Sequence, residues 1–98
     1  MTPYQILSWH AIPVQVRAGG RHNRVSKELP ARFQEAVDNA AMLAGLTGTD
    51  AYLDGFTWGE MQKREGTPEE VAAAIIAELE AQYETVDWKG VAAAIRTP

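Results

Sequence analysis

The sequence predicts an α+β domain: a small antiparallel sheet built from hairpins, two main helices packed on one face of it, and a short C-terminal helix. Three observations predict this class. Short segments rich in branched and aromatic residues are followed by glycine turns, which is typical of hairpins. Two later segments carry apolar residues at helical spacing. A length of 98 residues accommodates one core, so we expect a single domain over residues 1–98.

Aromatic and branched residues at positions 4–9 predict the first strand, in which Tyr4 and Ile6 lie on one face and Leu7 and Trp9 on the other. Pro13 has no backbone N–H, so we place it at a sheet edge, at a bulge or at the entry to the next strand. His10 lies in the compact turn between them. We expect it to be a partly buried, structural histidine.

The next segment predicts a hairpin. Val14 and Val16 alternate with polar residues, and Gly19-Gly20 follows where a tight turn requires positive φ. Residues 21–26 are then the return strand. Because this strand is polar, we expect either an exposed sheet edge or a loop.

The first main helix is predicted to have Pro30 in its first turn, a position that proline suits. Apolar residues then recur at helical spacing at Phe33, Val37, Ala40, Ala41 and Ala44. Gly45 predicts the end of this helix, in a left-handed cap.

Asp54-Gly55 predicts a second hairpin, with strands at residues 51–53 and 56–58. A type I′ turn would place Gly55 at positive φ. Gly59 interrupts the returning strand and predicts a bulge or a close backbone contact.

The second main helix has the strongest start signal of the chain, a capping box formed by Thr67 and Glu70 with Pro68 at the first helical position. Its apolar row consists of Val71, Ile75, Leu79 and Tyr83. Asp87 is expected to cap a last short helix. One face of that helix carries Trp88, Val91, Ala92 and Ile95.

Composition excludes several classes of function. Without cysteine, the chain has no disulfide, no thiolate metal site and no thiol nucleophile. The N-terminus does not resemble a signal peptide, and no apolar run reaches membrane-spanning length. We therefore expect a cytoplasmic protein that does not enter a membrane.

Charge is divided unevenly along the chain, although the net charge is −4. Residues 1–33 carry five cations and one acid, a net +4, and residues 34–98 carry four cations and twelve acids, a net −8. Such a chain can present a basic surface although the net charge of the whole protein is negative.

The basic hairpin suggests an anion site, since glycine amides and guanidinium groups together recognise phosphate or carboxylate. Its candidate residues are Arg17, Gly19, Gly20, Arg21, His22, Arg24 and Lys27. The alternative, which we favour, is that these charges only protect a sheet edge from pairing with other chains.

Trp9 and Trp58 are candidates for an exposed aromatic surface that binds a partner. Aromatic residues of a small sheet belong to the core more often than to a binding surface. No RNA-recognition signature accompanies them, so we do not expect a nucleic-acid partner.

The two histidines form no ligand pair, and the acids Asp54 and Glu60 are better explained as turn and surface residues than as an acid–base pair. We assign no catalytic residue, metal or cofactor.

Three segments carry a resemblance to a known family: residues 4–16, YQILSWHAIPVQV, residues 29–36, LPARFQEA, and residues 48–60, GTDAYLDGFTWGE. Together they resemble the small bacterial domain family named "virulence factor". The resemblance covers residues 3–83 and leaves out the last helix. It implies no catalytic residue. It does imply an accessory role, because such domains stand alone or are attached to helical repeats and to a domain like those of iron–sulfur scaffold proteins. The resemblance further implies a stand-alone form that lies near corrinoid and folate methyl-transfer genes, and this context also implies an accessory role.

The leading hypothesis is a non-enzymatic accessory or adaptor domain that binds a larger cytoplasmic protein, in metal-cluster or one-carbon cofactor metabolism. The alternative is an anion-binding module that uses the basic hairpin to bind a nucleotide, a phosphorylated cofactor or RNA. A small carboxylate-dependent enzyme is the third hypothesis. The sequence leaves the oligomeric state open.

Overall fold

A computed structural model describes residues 1–96 and has the predicted α+β architecture. The strands are β1 (Thr2–Trp9), β2 (Ile12–Ala18), β3 (Val25–Glu28), β4 (Phe56–Trp58) and β5 (Gln62–Arg64). The helices are α1 (Ala31–Leu43), α2 (Asp50–Asp54), α3 (Pro68–Gln82) and α4 (Trp88–Arg96).

The five strands form one antiparallel sheet in the order β3-β2-β1-β4, with β5 also paired to β1. β4 pairs with the end of β1 at Leu7–Trp9, and β5 pairs with its beginning at Thr2–Tyr4. Together β4 and β5 therefore make one interrupted edge beside β1. The predicted fold class is confirmed.

The turn between β1 and β2 consists of His10 and Ala11, since Trp9 pairs directly with Ile12. His10 has a φ of +54°. The register shifts between Leu7 and Ser8, where Pro13 lies opposite Ser8. This confirms the irregularity expected at Pro13, and it lets Trp9 turn into the core, where its side chain is fully buried.

The β2–β3 hairpin exists, but its return strand begins later than predicted. Residues 19–24 form a loop, because β3 starts only at Val25. Gly19 has the expected positive φ, at +102°. The Gly20 amide donates to Asn23 Oδ1, so the turn is held by a side chain instead of by strand pairing.

The predicted second hairpin at Asp54-Gly55 is wrong. Residues 50–54 form helix α2, and Gly55 has a φ of −72°, so no type I′ turn is present. Tertiary contacts hold this segment: Trp9 Nε1 donates to the Tyr52 carbonyl at 2.8 Å, and the His10 amide donates to the Gly55 carbonyl at 3.1 Å. The Gly59 amide makes the expected backbone contact, with the Ile6 carbonyl at 2.9 Å.

α1 begins directly after Pro30, which is its N-cap residue and not part of its first turn. It ends in the predicted left-handed cap, with Gly45 at a φ of +76°. The capping box of α3 is also confirmed, with hydrogen bonds in both directions between Thr67 and Glu70. Asp87 Oδ1 accepts the Gly90 amide at the start of α4.

The helices and the sheet share one core. Its largest fully buried side chains are Trp9, Phe33, Ile12, Val16, Val37 and Val71. α3 lies against β1, β2 and β3, and α1 contacts both β2 and α4. Arg32 of α1 joins the two main helices, since its guanidinium donates to the Glu80 and Tyr83 carbonyls at the C-terminal end of α3. None of the helices within residues 1–96 combines the length and the apolar character needed to cross a membrane.

Candidate functional site

Alternation along β2 gives the sheet two different faces. Val16 and Ala18 are buried beneath the helices, whereas Gln15 and Arg17, which alternate with them, are only half-buried. Trp58 belongs to the same side as Arg17, because the guanidinium of Arg17 stacks on its ring. We call this side the open face of the sheet.

A group of contacting side chains on the open face, which we call the Arg17–Trp58 cluster, consists of Gln5, Arg17 and Trp58. The Arg17 Cζ atom lies 3.9 Å from the centre of the Trp58 ring. Arg17 Nε and Nη2 donate to Gln5 Oε1 at 3.1 and 2.7 Å, and Gln5 Nε2 donates to the Gly59 carbonyl at 3.0 Å. These bonds link β2, β1 and the segment after β4, and they fix the guanidinium that stacks on the indole.

The cluster is bordered by an exposed apolar side chain. Met61 is 57% exposed and lines a shallow depression with Gln5, Arg17 and Arg24. An aromatic ring, a guanidinium and a thioether thus lie side by side on the open face. Such a surface offers apolar contact and hydrogen-bond donors at the same time.

The residues predicted to bind an anion are brought together only in part. Arg17, Gly19 and Arg24 line the same depression, which has a volume of about 10 Å³. Arg21 and His22 are exposed in the loop before β3. Lys27 pairs with Val16, so it projects from the opposite face of the sheet to Arg17.

The two glycine amides that the anion site would need already have partners within the chain. The Gly19 amide donates to the Pro3 carbonyl at 2.9 Å, and the Gly20 amide donates to Asn23 Oδ1 at 2.9 Å. Anion binding at this hairpin would therefore depend on the guanidinium groups.

The two tryptophans predicted for a partner surface lie in different environments. Trp58 is half-buried on the open face, whereas Trp9 is fully buried and donates its indole N–H to the Tyr52 carbonyl. Trp9 therefore offers no ring to a partner. The bulge at Ser8 explains the difference, since it turns the end of β1 toward the helices.

A second concave region, the His10 groove, lies between the β1–β2 turn and α4. Its volume is about 690 Å³, and its lining includes Ile12, Val86, Val91 and Ile95 together with His10 and Asp87. His10 is exposed, which corrects the expectation of a partly buried histidine. Sequence reasoning missed this groove, because its two sides come from residues 10–12 and 83–95.

The shifted pKa values of the described residues belong to structural contacts. Burial and the neighbouring Asp38 carboxylate raise the pKa of Tyr52. The backbone amide and the hydroxyl of Thr67 lower the pKa of Glu70. The ion pair between Arg64 and Glu78 lowers the pKa of Glu78 and raises that of Arg64. None of these groups lies in the Arg17–Trp58 cluster or lines the His10 groove.

Comparison with protein families shows a match to the family described as "virulence factor" over residues 7–91. The chain belongs to the virulence factor family. The match extends into α4, farther than the resemblance over residues 3–83 had indicated, so this family's domain includes the start of the last helix. The matched range contains Arg17, Trp58, His10 and Asp87. Comparisons with curated proteins and with solved structures gave no match.

Proposed function

We propose that this virulence factor domain is a non-enzymatic accessory domain that binds a larger cytoplasmic protein through the open face of its sheet. The observation that carries the proposal is the Arg17–Trp58 cluster, in which hydrogen bonds to Gln5 fix a guanidinium that stacks on a half-buried indole. Tryptophan and arginine are the residue types most enriched among the energetically dominant residues of protein interfaces.

Fixed side chains favour binding. Ordering a flexible side chain on association costs about 0.5–1.5 kcal/mol, and the cluster has met part of that cost within the folded domain. Met61 beside it is exposed and flexible, and so can adapt to an apolar side chain of the partner. The open face therefore combines a rigid centre with an adaptable border.

The class of partner rests on the family resemblance. From that resemblance we propose that the partner is a protein that handles a metal cluster or a one-carbon cofactor. The domain itself would contribute binding and would leave the chemistry to the partner. The absence of cysteine is consistent with such a division, because the chain has no thiolate with which to hold a cluster.

The experiment is affinity capture from the native cytoplasm with quantitative mass spectrometry, using the wild-type domain, Trp58→Ala and Arg17→Gln. Lys89→Gln is the matched control, since Lys89 also lies over an indole, that of Trp88, at 5.5 Å but on α4. We expect one protein to be retained by the wild type and by Lys89→Gln and lost by the other two variants. Retention of the same proteins by all four would refute the proposal, once circular dichroism has shown that all four are folded.

Anion binding is the second candidate function, because Arg17 and Arg24 line the same depression. The triple substitution of Arg17, Arg21 and Arg24 with Gln tests it. If the anion site exists, the wild type should bind a phosphorylated probe such as ATP with an affinity that falls with salt, and the triple variant should not. Equal binding of ATP by both proteins would exclude the site.

A further inference from the structure

We infer that the His10 groove is a binding site for a small apolar molecule that carries a protonated amine. The inference is independent of the proposed function, since the groove and the Arg17–Trp58 cluster share no residue. It rests on the size and lining of the groove, on the backbone conformation of His10 and on the charge of Asp87.

The groove has the dimensions and the surface of a small-molecule site. Its volume of about 690 Å³ falls within the 300–1,000 Å³ typical of ligand pockets. Aliphatic side chains from both sides form most of the lining, among them Ile12, Val91 and Ile95. Such pockets bind the body of a ligand by apolar contact, and a few polar groups fix its orientation.

His10 is held at the groove in a conformation that a histidine rarely adopts. Its φ of +54° lies in the left-handed region, where a glycine would be free of strain. Its ring packs edge-on against Trp9, with 4.5 Å between the ring centres, and its amide is bonded to the Gly55 carbonyl. An imidazole kept at a strained position, exposed and firmly oriented, indicates a use for the side chain.

Asp87 determines which ligand charge is favoured. It is the one carboxylate among the described residues that line the groove, and its Oδ1 accepts the Gly90 amide, which leaves Oδ2 for a ligand. Two cations close to the groove in sequence or by contact have other partners: Lys89 lies over Trp88, and Arg32 donates to the carbonyls of Glu80 and Tyr83.

An ammonium group suits these neighbours because it carries three donors and a positive charge. It can donate to the Asp87 carboxylate. An anionic ligand would instead meet the negative charge of Asp87. The ligand class is therefore an apolar amine, its hydrocarbon portion lying on the aliphatic side chains of the groove.

Three probes with the same aromatic body test the inference: phenethylamine, 2-phenylethanol and phenylacetate. Each is titrated into ¹⁵N-labelled protein at pH 7.5 while the amide resonances are followed by NMR. We expect saturable shifts at the amides of Gly90, Val91 and Ala94, and phenethylamine should bind roughly threefold more tightly than the alcohol, the range of a partly exposed ion pair.

Two variants locate the effect. Asp87→Asn keeps an oxygen that can cap α4 but removes the charge, so the preference for the amine should disappear while the alcohol binds as before. Ala94→Trp should fill the groove and abolish binding of all three probes, whereas Ala81→Trp on α3 should not. Phenylacetate binding as tightly as the amine, unchanged binding in Ala94→Trp, or no saturable shift of the groove amides would each overturn the inference.

Discussion

Gly55 is needed for space, although the sequence suggested that it was needed for a turn. A Cβ atom at this position would lie 2.5 Å from Trp9 Nε1 and 3.0 Å from His10 Nε2. Gly55 is therefore the point at which α2 approaches β1 closely enough for Trp9 to donate to the Tyr52 carbonyl. A glycine before an aromatic strand is compatible with a turn at positive φ and also with a close contact that leaves no room for a Cβ atom. Only the packing of the folded chain distinguishes the two.

We expect Gly55→Ala to lower the free energy of unfolding by about 1–3 kcal/mol, because the added methyl group overlaps a fully buried indole. Gly20→Ala is the matched control, since its Cβ would meet only Asn23 Oδ1, at 3.6 Å. That change should stay within about 0.5 kcal/mol. Denaturant unfolding of both variants measures the difference, and equal midpoints would contradict the assignment.

His10 shows that sequence neighbours alone do not determine whether a side chain is buried. A histidine directly after a strand suggested a structural, partly buried side chain. The structure instead places it as the first residue of a two-residue turn, exposed and at positive φ. A hairpin turn of this kind normally has glycine at that position, so its sequence signal was hidden.

Helix α3 is the element in which local sequence and tertiary structure agree most closely. Its start is fixed by the reciprocal hydrogen bonds of Thr67 and Glu70, and its buried residues Val71, Ala72 and Ile75 lie on one stripe. Its end is stabilised by another element, since Arg32 of α1 donates to its last carbonyls. The capping box at the start of α3 can be recognised in the sequence, whereas the bonds from Arg32 at its end cannot.

Ile75 should make a large contribution to stability. It is only 5% exposed, so Ile75→Ala is expected to cost about 2–4 kcal/mol through lost burial and the cavity that remains. The neighbouring Ile76 is half-buried and provides a control of the same residue type, for which we expect a smaller loss. Thr67→Ala should cost about 1 kcal/mol, because it removes one cap. Equal denaturation midpoints for the two isoleucine variants would show that α3 packs differently.

The capping box makes the stability of α3 depend on pH. Hydrogen bonds from the amide and hydroxyl of Thr67 lower the pKa of Glu70 in the folded state, so folding favours the charged carboxylate. This contribution is complete above the ordinary glutamate pKa of about 4.3, and it is lost as the pH falls through the lower pKa of the folded state.

Glu70→Gln isolates this effect, because glutamine can still bond the Thr67 amide but does not titrate. We expect the loss of stability between pH 6 and pH 3 to be smaller in this variant than in the wild type. Glu70→Ala should be less stable than Glu70→Gln at both pH values. Thermal melts at the two pH values provide the measurement, and identical pH dependence in Glu70→Gln and the wild type would contradict the prediction.

At the scale of the whole molecule, one core joins elements that are far apart in sequence. Phe33 of α1 packs edge-on against Tyr83 after α3, and Ala92 of α4 belongs to the same buried cluster as Trp9. The domain should consequently unfold in one step. Tryptophan fluorescence and far-ultraviolet circular dichroism should give the same denaturant midpoint, and two separate midpoints would divide the chain into independently folding parts.

The sequence by itself determined the α+β class, the β1 and β2 strands, the limits of α1 and the capping box of α3. Each of these depends on local chemistry. Alternation creates a sheet face, Pro30 and Gly45 bound a helix, and Thr67 bonds a residue three positions away. The family resemblance over most of the chain was likewise available from residues alone and was confirmed by the match over residues 7–91.

Three features were decided by the tertiary structure alone. They are the conformation of residues 50–55, the burial of Trp9 and the placement of Arg17 beside Trp58 on the open face. Asp54-Gly55 has a strong local preference for a turn, but a helix there allows Tyr52 to accept the Trp9 indole N–H. Likewise, Arg17 was a candidate for an anion site or for a protected sheet edge, and Trp58 was a candidate for a partner surface. The pairing of β1 with both β2 and β4 places the Arg17 Cζ atom 3.9 Å from the centre of the Trp58 ring. The preference of a short segment for one backbone conformation is worth about 1 kcal/mol. Burial of an aromatic side chain whose polar group is hydrogen-bonded stabilises the fold by more than that. Packing therefore determined the structure where the two disagreed.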